Sequence, residues 1–372
     1  MPDLATQDRL LTPAMLLLGV TLFLGALVPN LFVLAPRYLA ERGYDAQQIG
    51  VIMSGFNLAA LIAMPLAGRL TEAFGHRALL AAGCLIAALG AALFDVSSGP
   101  MAYTAARCVQ GLGFAAVLVV AAAYVAEIAP ERRLAQALGV SGVLTLVSQA
   151  AGPAIGEVLE HAAGWRAVFW AGVGAGVLGA IVALLLPPVR ARAGTASPPA
   201  FGAWPVLIAT ALAGFGFGAV WSFLSDYATR VHLSAVTPFF AAYVLAAVGT
   251  RLGLGHLPDL LGHRRVAVPA LVGHGLALLA MSQLGASWHM VVIGAVFGLS
   301  HGFYYPTLQA MVLERSVVRP RAIAAHSMAF SAGIVVSSLG LGAVAKWLGY
   351  PLIYVVAAAA GMIAAALVAT RS

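Results

Sequence analysis

The sequence predicts an all-α membrane protein with twelve transmembrane helices in two related six-helix bundles. Of its 372 residues, 62% are hydrophobic and only 9% are charged, which is too apolar for a water-compatible surface. Long apolar stretches alternate with short charged breaks, and a run of residues in the first half returns in the second. The first two observations indicate a bilayer protein, and the third indicates internal duplication.

Twelve stretches match the length of about 20 apolar residues that a spanning helix needs. Their predicted limits are about 14–36, 48–68, 77–96, 101–125, 136–158, 166–186, 204–228, 234–256, 265–284, 288–313, 322–346 and 350–370. The first stretch is too long for the apolar core of a signal peptide and lacks a small-residue cleavage site. We therefore expect it to be the first spanning helix.

The predicted domains follow from this division. Residues 1–186 form an N-terminal six-helix bundle, 187–203 a cytoplasmic linker, and 204–372 a C-terminal six-helix bundle. The linker is rich in Pro, Ala and Arg, a composition that neither continues a helix nor buries apolar surface.

The distribution of positive residues predicts the orientation. If both termini are cytoplasmic, fourteen of the twenty Lys and Arg residues lie in cytoplasmic loops or tails and five lie outside, the remaining one being Arg107 within a span. The net charge of +7 then reflects these loops and not nucleic-acid binding. We expect a multi-pass protein of the bacterial inner membrane.

The repeated run sits in corresponding breaks of the two halves. Its residues Gly68, Leu70, Glu72, Gly75, His76 and Arg77 return 187 residues later as Gly255, Leu257, Asp259, Gly262, His263 and Arg264. The same offset relates Glu127 to Glu314. Duplicated membrane chains are typical of secondary transporters, with a substrate path between bundles related by an axis along the membrane normal.

These residues resemble the major facilitator superfamily over essentially the whole chain. The first run resembles the family's Gly-x-Leu-x-Asp-Arg-x-Gly-Arg-Arg loop signature, with Glu72 in place of Asp and Ala73 in place of Arg. Arg107, Gln110 and Gly111 are similar to its Arg-x-x-Gln-Gly signature in helix 4. In helix 5, Gly152, Pro153 and Gly156 are similar to an element associated with antiporters and exporters. The resemblance implies that helices 1, 4, 7 and 10 line the substrate cavity.

The two runs are interpreted as one cytoplasmic gate. Glycine permits a tight turn, and acidic and basic side chains can pair with each other or with neighbouring helix ends in one conformation and separate in the other. A static charged turn is the alternative. The predicted gate residues are Gly68, Glu72, Gly75, Arg77, Gly255, Asp259, Gly262, Arg264, Glu127 and Glu314.

Arg107 is the strongest single candidate for the transport pathway. A charge within a span costs at least about 2.5–3.5 kcal/mol unless it finds a partner or water, so its side chain should face the interior. It then serves proton coupling, as the resemblance implies, or binds an anionic group of the substrate. The structural alternative is that Gln110, backbone carbonyls and water satisfy it.

Other polar residues within spans complete the predicted pathway. His301 and Tyr305 share one face of helix 10, where interhelical hydrogen bonding is the alternative to substrate contact. Ser222 and Asp226 follow one face of helix 7, with Asp226 near the outer rim as a proton site or a solvated helix end. Buried amides also need partners, and the candidates are Asn30, Asn57 and Gln149.

We therefore expect a secondary transporter that works by alternating access, moving a small organic solute in a proton-coupled efflux reaction. Uptake or facilitated diffusion of an anionic or zwitterionic metabolite is the main alternative, and a lipid transporter, a membrane enzyme or a sensor is less favoured. An enzyme is not expected, because the Gly139-Val-Ser141-Gly142 string lacks a positioned base. We expect no metal, cofactor or nucleic acid, and a monomer whose partners are the solute, protons and the lipid bilayer.

Overall fold

The computed structural model describes residues 12–129, 134–189, 203–315 and 319–371. Within these ranges the chain forms α-helices, one 3-10 turn and no strand. The helices are α1 Pro13–Leu31, α2 Ala35–Glu41, α3 Ala46–Phe74, α4 His76–Val96, α5 Pro100–Ile128, α6 Leu134–Ala163, α7 Trp165–Leu184, α8 Trp204–Arg230, α9 Thr237–Gly253, α10 Leu257–Leu261, α11 His263–Met281, α12 Ser287–Glu314, α13 Arg319–Leu348 and α14 Tyr350–Arg371.

Eleven stretches in the described ranges are long and apolar enough to cross a membrane. The first runs through α1, the 3-10 turn Phe32–Leu34 and α2, with Pro29 and Pro36 on either side of that turn. The predicted span missing from these eleven is the eighth, 234–256, which corresponds to α9, whose 17 residues lie at the short end of the spanning range. The predicted all-helical membrane fold is confirmed.

The segment between α3 and α4 is shorter than the sequence suggests. We expected a loop around Gly68 and Glu72, but both belong to the last turns of α3, and only Gly75 separates α3 from α4. Gly75 has φ +78° and its counterpart Gly262 has φ +92°, in the region that glycine reaches without strain. The two positions related by the repeat therefore make the same kind of turn.

The chain divides into two compact units. The first comprises Met1–Phe32 and Ala59–Thr195, and the second comprises Val33–Leu58 and Ala196–Ser372. The segment from the end of the first span to the middle of α3 thus packs with the second-half helices. The predicted domain limits refer to the duplicated halves and stay a prediction.

The first unit is held together by small residues at close helix contacts. A Cβ atom on Gly113 of α5 would lie 2.5 Å from the carbonyl oxygen of Gly83 on α4, so these helices touch backbone to backbone. Beside this contact the core contains buried Leu18, Leu80 and Tyr124. The α4–α5 contact fixes the face of α5 that carries Arg107 and Gln110.

The second unit repeats this principle at two helix pairs. A Cβ on Gly214 of α8 would lie 2.2 Å from the carbonyl oxygen of Phe330 on α13, and one on Gly298 of α12 would lie 2.1 Å from that of Tyr243 on α9. The α3 segment joins this unit similarly, since a Cβ on Gly50 would lie 2.2 Å from the carbonyl oxygen of Ser338. These contacts align α8 and α12, which carry the pathway candidates Ser222, Asp226, His301 and Tyr305.

Candidate functional site

Arg107 and Gln110 are buried side by side on α5. Their exposed fractions are 3% and 0%, and the Arg107 guanidinium donates a hydrogen bond to the Gln110 side-chain oxygen. The guanidinium carbon lies 5.6 Å from the centroid of the Phe32 ring, within the range of a cation–π contact. The burial of Arg107 agrees with the expectation that its charge faces the interior. Gln110, which the structural alternative named as a partner, accepts a hydrogen bond from it.

Arg107 lies nearer to one end of α5 than to the other. Helix α5 has 29 residues and begins at Pro100. At 1.5 Å per residue, Arg107 lies about 11 Å from that end. The guanidinium therefore occupies the third of the helix nearest Pro100, beside the aromatic cluster of Phe32, Phe94 and Phe169.

The amide candidates separate into two places. Asn30 of α1 donates hydrogen bonds to Ser148 Oγ at 2.9 Å and to the Ala26 carbonyl oxygen at 2.8 Å. Gln149 follows Ser148 on α6 and is half-buried. Asn57 is half-buried on the part of α3 that belongs to the second unit.

The Gly152–Pro153–Gly156 element packs α6 against α1. A Cβ on Gly152 would lie 2.5 Å from the carbonyl carbon of Asn30, so only glycine allows this approach without a shift. All three residues are buried, and α6 continues through Pro153. The element thus fixes the backbone next to the Asn30–Ser148 hydrogen bond.

His301 and Tyr305 lie together in an aromatic cluster of the second unit. Tyr243 Oη is 2.9 Å from His301 Nδ1, and both side chains are buried. The Tyr305 ring centroid lies 5.4 Å from that of His301. The predicted stripe on α12 is therefore one wall of a larger group of rings.

We call this group of rings the imidazole–aromatic cluster. Only His301 and Tyr305 of it were predicted from the sequence. It contains His301, Tyr305, Tyr243, Phe217, Trp221 and Phe330. Phe217 and Trp221 stack with centroids 3.8 Å apart, and Trp221 is half-buried. Their spacing of four residues on α8 was the available signal for a ring pair on one helix face.

Asp226 is buried and paired, which excludes the solvated helix end considered above. Its exposed fraction is 2%, and Arg230 Nε lies 3.2 and 3.1 Å from its two carboxylate oxygens. Tyr350 at the start of α14 donates a further hydrogen bond to it. Ser222, one turn earlier, lies 2.7 Å from Ser338 on α13 in a separate hydroxyl pair.

The first predicted gate copy contacts a neighbouring helix end. Arg77 donates a hydrogen bond to the carbonyl oxygen of Leu184, the last residue of α7. Glu72 is exposed on the last turn of α3, and Glu127 is half-buried near the end of α5. Gly68 has open space around it, so its surroundings would admit a side chain.

The second gate copy brings His263 next to two carboxylates. His263 Nδ1 lies 2.7 Å from Glu314 Oε1, and its Nε2 lies 3.7 Å from Asp259 Oδ1. Gly262 forms the turn and Arg264 is exposed beside it, while a Cβ on Gly255 would lie 2.5 Å from the Arg251 carbonyl oxygen. The repeat register that related Glu314 to this run thus corresponds to a direct contact.

An all-helical membrane chain with duplicated turns and polar groups buried within its spans has the construction of a solute transporter. The family model of the Major Facilitator Superfamily matches residues 15–207 and 206–371, and the chain belongs to this family. It is a membrane transporter and not an enzyme.

Relatives and solved structures agree with this assignment. The uncharacterized MFS-type transporter YhhS of Salmonella typhimurium is 26% identical over 90% of this chain and 86% of its own length. The uncharacterized transporter YebQ of Escherichia coli is 28% identical over 53% of this chain, and the match spans 42% of YebQ.

Two crystal structures share the fold at low sequence identity. The nucleoside transporter NupG superposes with a TM-score of 0.79 at 12% identity, covering 96% of this chain and 99% of NupG. The human organic anion transporter MFSD10 superposes with a TM-score of 0.72 at 15% identity, covering 96% and 100%.

Proposed function

We propose that the protein exports a small organic solute across the bacterial inner membrane in exchange for protons. The observation that supports an organic substrate is the imidazole–aromatic cluster on α8, α9, α12 and α13. The half-buried rings of Trp221 and Tyr305 offer stacking surface, and the buried His301–Tyr243 pair holds a polar group in a fixed position. Ligand sites are typically apolar and aromatic with a few oriented polar groups, which is the character of this cluster.

The efflux direction is supported by the Gly152–Pro153–Gly156 element, which resembles that of exporters. In this proposal, Arg107 exchanges protons together with Asp226, His301 or a cytoplasmic carboxylate. The protein acts as a monomer with both termini in the cytoplasm. Asn30, Asn57, Gln149 and Ser222 contribute polar groups to the pathway.

A second function is favoured by one observation. Arg107 holds a buried guanidinium that donates a hydrogen bond to the Gln110 side chain and lies beside the Phe32 ring. A guanidinium in such a setting suits an anionic or zwitterionic metabolite, taken up or passed by facilitated diffusion.

The duplicated runs act as the cytoplasmic gate. The Arg77–Leu184 and His263–Glu314 contacts tie each turn to the end of another helix of the same unit. Contacts of this kind form in one conformation and break in the other when the helix ends move.

Transport into proteoliposomes tests both proposals. A panel of neutral, cationic and anionic aromatic solutes is offered with inward, outward and no pH gradient. We expect a transported aromatic solute whose flux follows the gradient. A flux that is unchanged by pH gradients of either sign would contradict proton coupling. Transport restricted to aliphatic solutes would contradict a role of the imidazole–aromatic cluster in substrate binding.

Paired variants separate the two functions. His301→Asn should lower transport of the organic solute on the order of tenfold, whereas His232→Asn removes an exposed imidazole of the same unit and should not. Arg107→Gln should lower transport of an anionic solute about tenfold or more, since a hydrogen bond to a charged group contributes about 1.5–3 kcal/mol. Arg166→Gln, at a mainly exposed side chain paired with Asp95, is the matched charge control.

A further inference from the structure

A basic cavity lies at the end of the second unit where α11 begins and α12 ends. Its volume is about 550 Å³. The residues that matter for its chemistry are Leu261, His263, Arg264, Arg265, Glu314 and Arg315. In the proposed orientation this end faces the cytoplasm, so the cavity opens at the inner surface of the membrane.

The side chains that line the cavity give it a positive charge that favours an anionic ligand. Arg264, Arg265 and Arg315 are exposed, and none of the three guanidinium groups forms an ion pair or hydrogen bond with another residue in the described ranges. The single carboxylate among the lining residues, that of Glu314, is engaged by His263 at 2.7 Å. Three guanidinium groups are therefore available to one ligand.

Phosphate is the chemical group that these side chains suit. The planar guanidinium presents parallel N–H donors that match two oxygens of a phosphate, and several arginines can share one phosphate. The lining also includes Gly262, whose φ of +92° lets the chain turn directly into α11 and keeps Arg264 and Arg265 next to the opening.

Apolar side chains beside the arginines distinguish a lipid from a free anion. Leu261 lines the cavity and is 51% exposed, and the preceding Leu260 is 72% exposed. An inorganic phosphate would use only the arginines. A phospholipid would place its phosphate at the arginines and its acyl chains along these leucines, as basic pockets at the cytoplasmic ends of membrane helices do.

We propose that this cavity binds the headgroup of an anionic phospholipid from the cytoplasmic leaflet. The proposal rests on the proposed orientation but not on the identity of the transported solute. Because His263 and Arg264 also belong to the second gate copy, the bound lipid holds the turn at Gly262 and stabilises the His263–Glu314 contact.

Native mass spectrometry of the full chain in detergent tests this site. The probes are phosphatidylglycerol and phosphatidylcholine with identical acyl chains, added in equal amount. We expect the parent protein to retain phosphatidylglycerol preferentially. The double variant R265Q/R315Q should reduce this retention on the order of thirtyfold, the effect expected for two basic residues near an anionic group. Both substitutions leave the gate residue Arg264 in place.

Two controls keep the result specific. The variant R42Q/R166Q removes the same charge from helix ends on the predicted outer side and should retain phosphatidylglycerol like the parent. R265K/R315K keeps the charge and should retain most of the binding, with a thermal midpoint reported for every variant to show that it folds.

Three outcomes would overturn the proposal. They are equal retention of the two lipids by the parent, unchanged retention by R265Q/R315Q, and displacement of phosphatidylglycerol by millimolar inorganic phosphate. The last would identify a site for free anions. The comparison on the parent protein decides the question even if a variant fails to fold.

Discussion

Asp45 is the ionisable residue outside the spans whose surroundings most clearly favour one charge state. It accepts a hydrogen bond from the Gln48 backbone at 2.9 Å, while the Gln48 side chain accepts one from the Asp45 backbone at 3.0 Å. Lys346 Nζ lies 2.9 Å from its other carboxylate oxygen. The Gln48 N–H and the Lys346 ammonium lower the pKa of Asp45 below its ordinary value of 3.8.

This lowered pKa predicts a pH-dependent contribution to stability. A carboxyl group whose pKa falls on folding stabilises the protein above its unfolded pKa, and the contribution is lost as the pH falls through the folded pKa. Asp45→Ala should therefore reduce stability by about 1 kcal/mol near pH 7, the usual effect of losing a helix N-cap. The difference from the parent should begin to shrink near the unfolded pKa of about 4 and shrink further as the pH falls through the lower folded pKa.

Thermal unfolding in detergent over pH 3–8 measures this effect, with Asp45→Asn as the matched control. Asparagine can still cap α3 but cannot pair with Lys346, so it should lose the pH dependence and keep most of the stability. A difference between parent and Asp45→Ala that stays constant across the range would contradict the assignment.

For single residues, the sequence predicts which side chains are buried better than it predicts their hydrogen-bond partners. The cost of an intramembrane charge was sufficient to place Arg107 inside, and its neighbour three residues along the same helix was a visible candidate partner. Tyr243, the partner of His301, lies 58 residues away on another helix. Tyr350, the partner of Asp226, lies 124 residues away. Such pairs depend on how helices rotate against each other, which a helical pattern alone does not fix.

The pairing of α9 with α12 shows most clearly how helix packing depends on glycine, which has no side chain. A Cβ on Gly294 would lie 2.4 Å from the Phe239 carbonyl oxygen, and one on Gly298 would lie 2.1 Å from that of Tyr243. The two helices therefore approach through a Gly-x3-Gly surface, as small residues permit in membranes. The same approach brings Tyr243 to His301.

Gly298→Val should force α9 and α12 apart. Overpacking of this kind typically costs about 1–3 kcal/mol, so we expect a lower thermal midpoint together with reduced solute transport. Gly249→Val is the control, because a Cβ at that position of α9 meets nothing within 4 Å. Equal midpoints for the two variants would show that the α9–α12 contact can relax without loss.

Element ends were harder to predict than element existence. A membrane-thickness criterion stops at the last apolar residue, yet α3 continues to Phe74 and α6 to Ala163 because charged residues can extend a helix beyond the bilayer. What ends α3 is Gly75, whose positive φ interrupts the helix. The glycines of the repeated run predicted this break, whereas the charges in it did not.

At the scale of the whole molecule, duplication is the feature that sequence and structure share most directly. The positive-φ turns at Gly75 and Gly262 correspond by the repeat, and those at Gly164 and Gly349 follow after the loss of two residues. The contacts at these turns have nevertheless diverged, with Arg77 bound to a backbone carbonyl in one half and His263 bound to two carboxylates in the other. Duplication thus conserves the turns while each half stabilises them differently.

The loop charges of the whole chain predict the orientation, and two single cysteines can test this prediction. In a background where Cys84 and Cys108 are replaced by Ala, Ser98→Cys and His256→Cys each place a thiol at an exposed position in a break between helices. The positive-inside distribution puts Ser98 outside and His256 in the cytoplasm.

A membrane-impermeant maleimide should therefore label Ser98→Cys in right-side-out vesicles and His256→Cys only after permeabilisation, with the pattern reversed in inside-out vesicles. Because both positions are exposed, a difference in labelling reports the side of the membrane and not burial. Labelling of His256→Cys from the outside would invert the topology. The repeated turns would then lie at the outer surface, and the basic cavity between α11 and α12 would no longer face the anionic cytoplasmic leaflet that the lipid proposal requires.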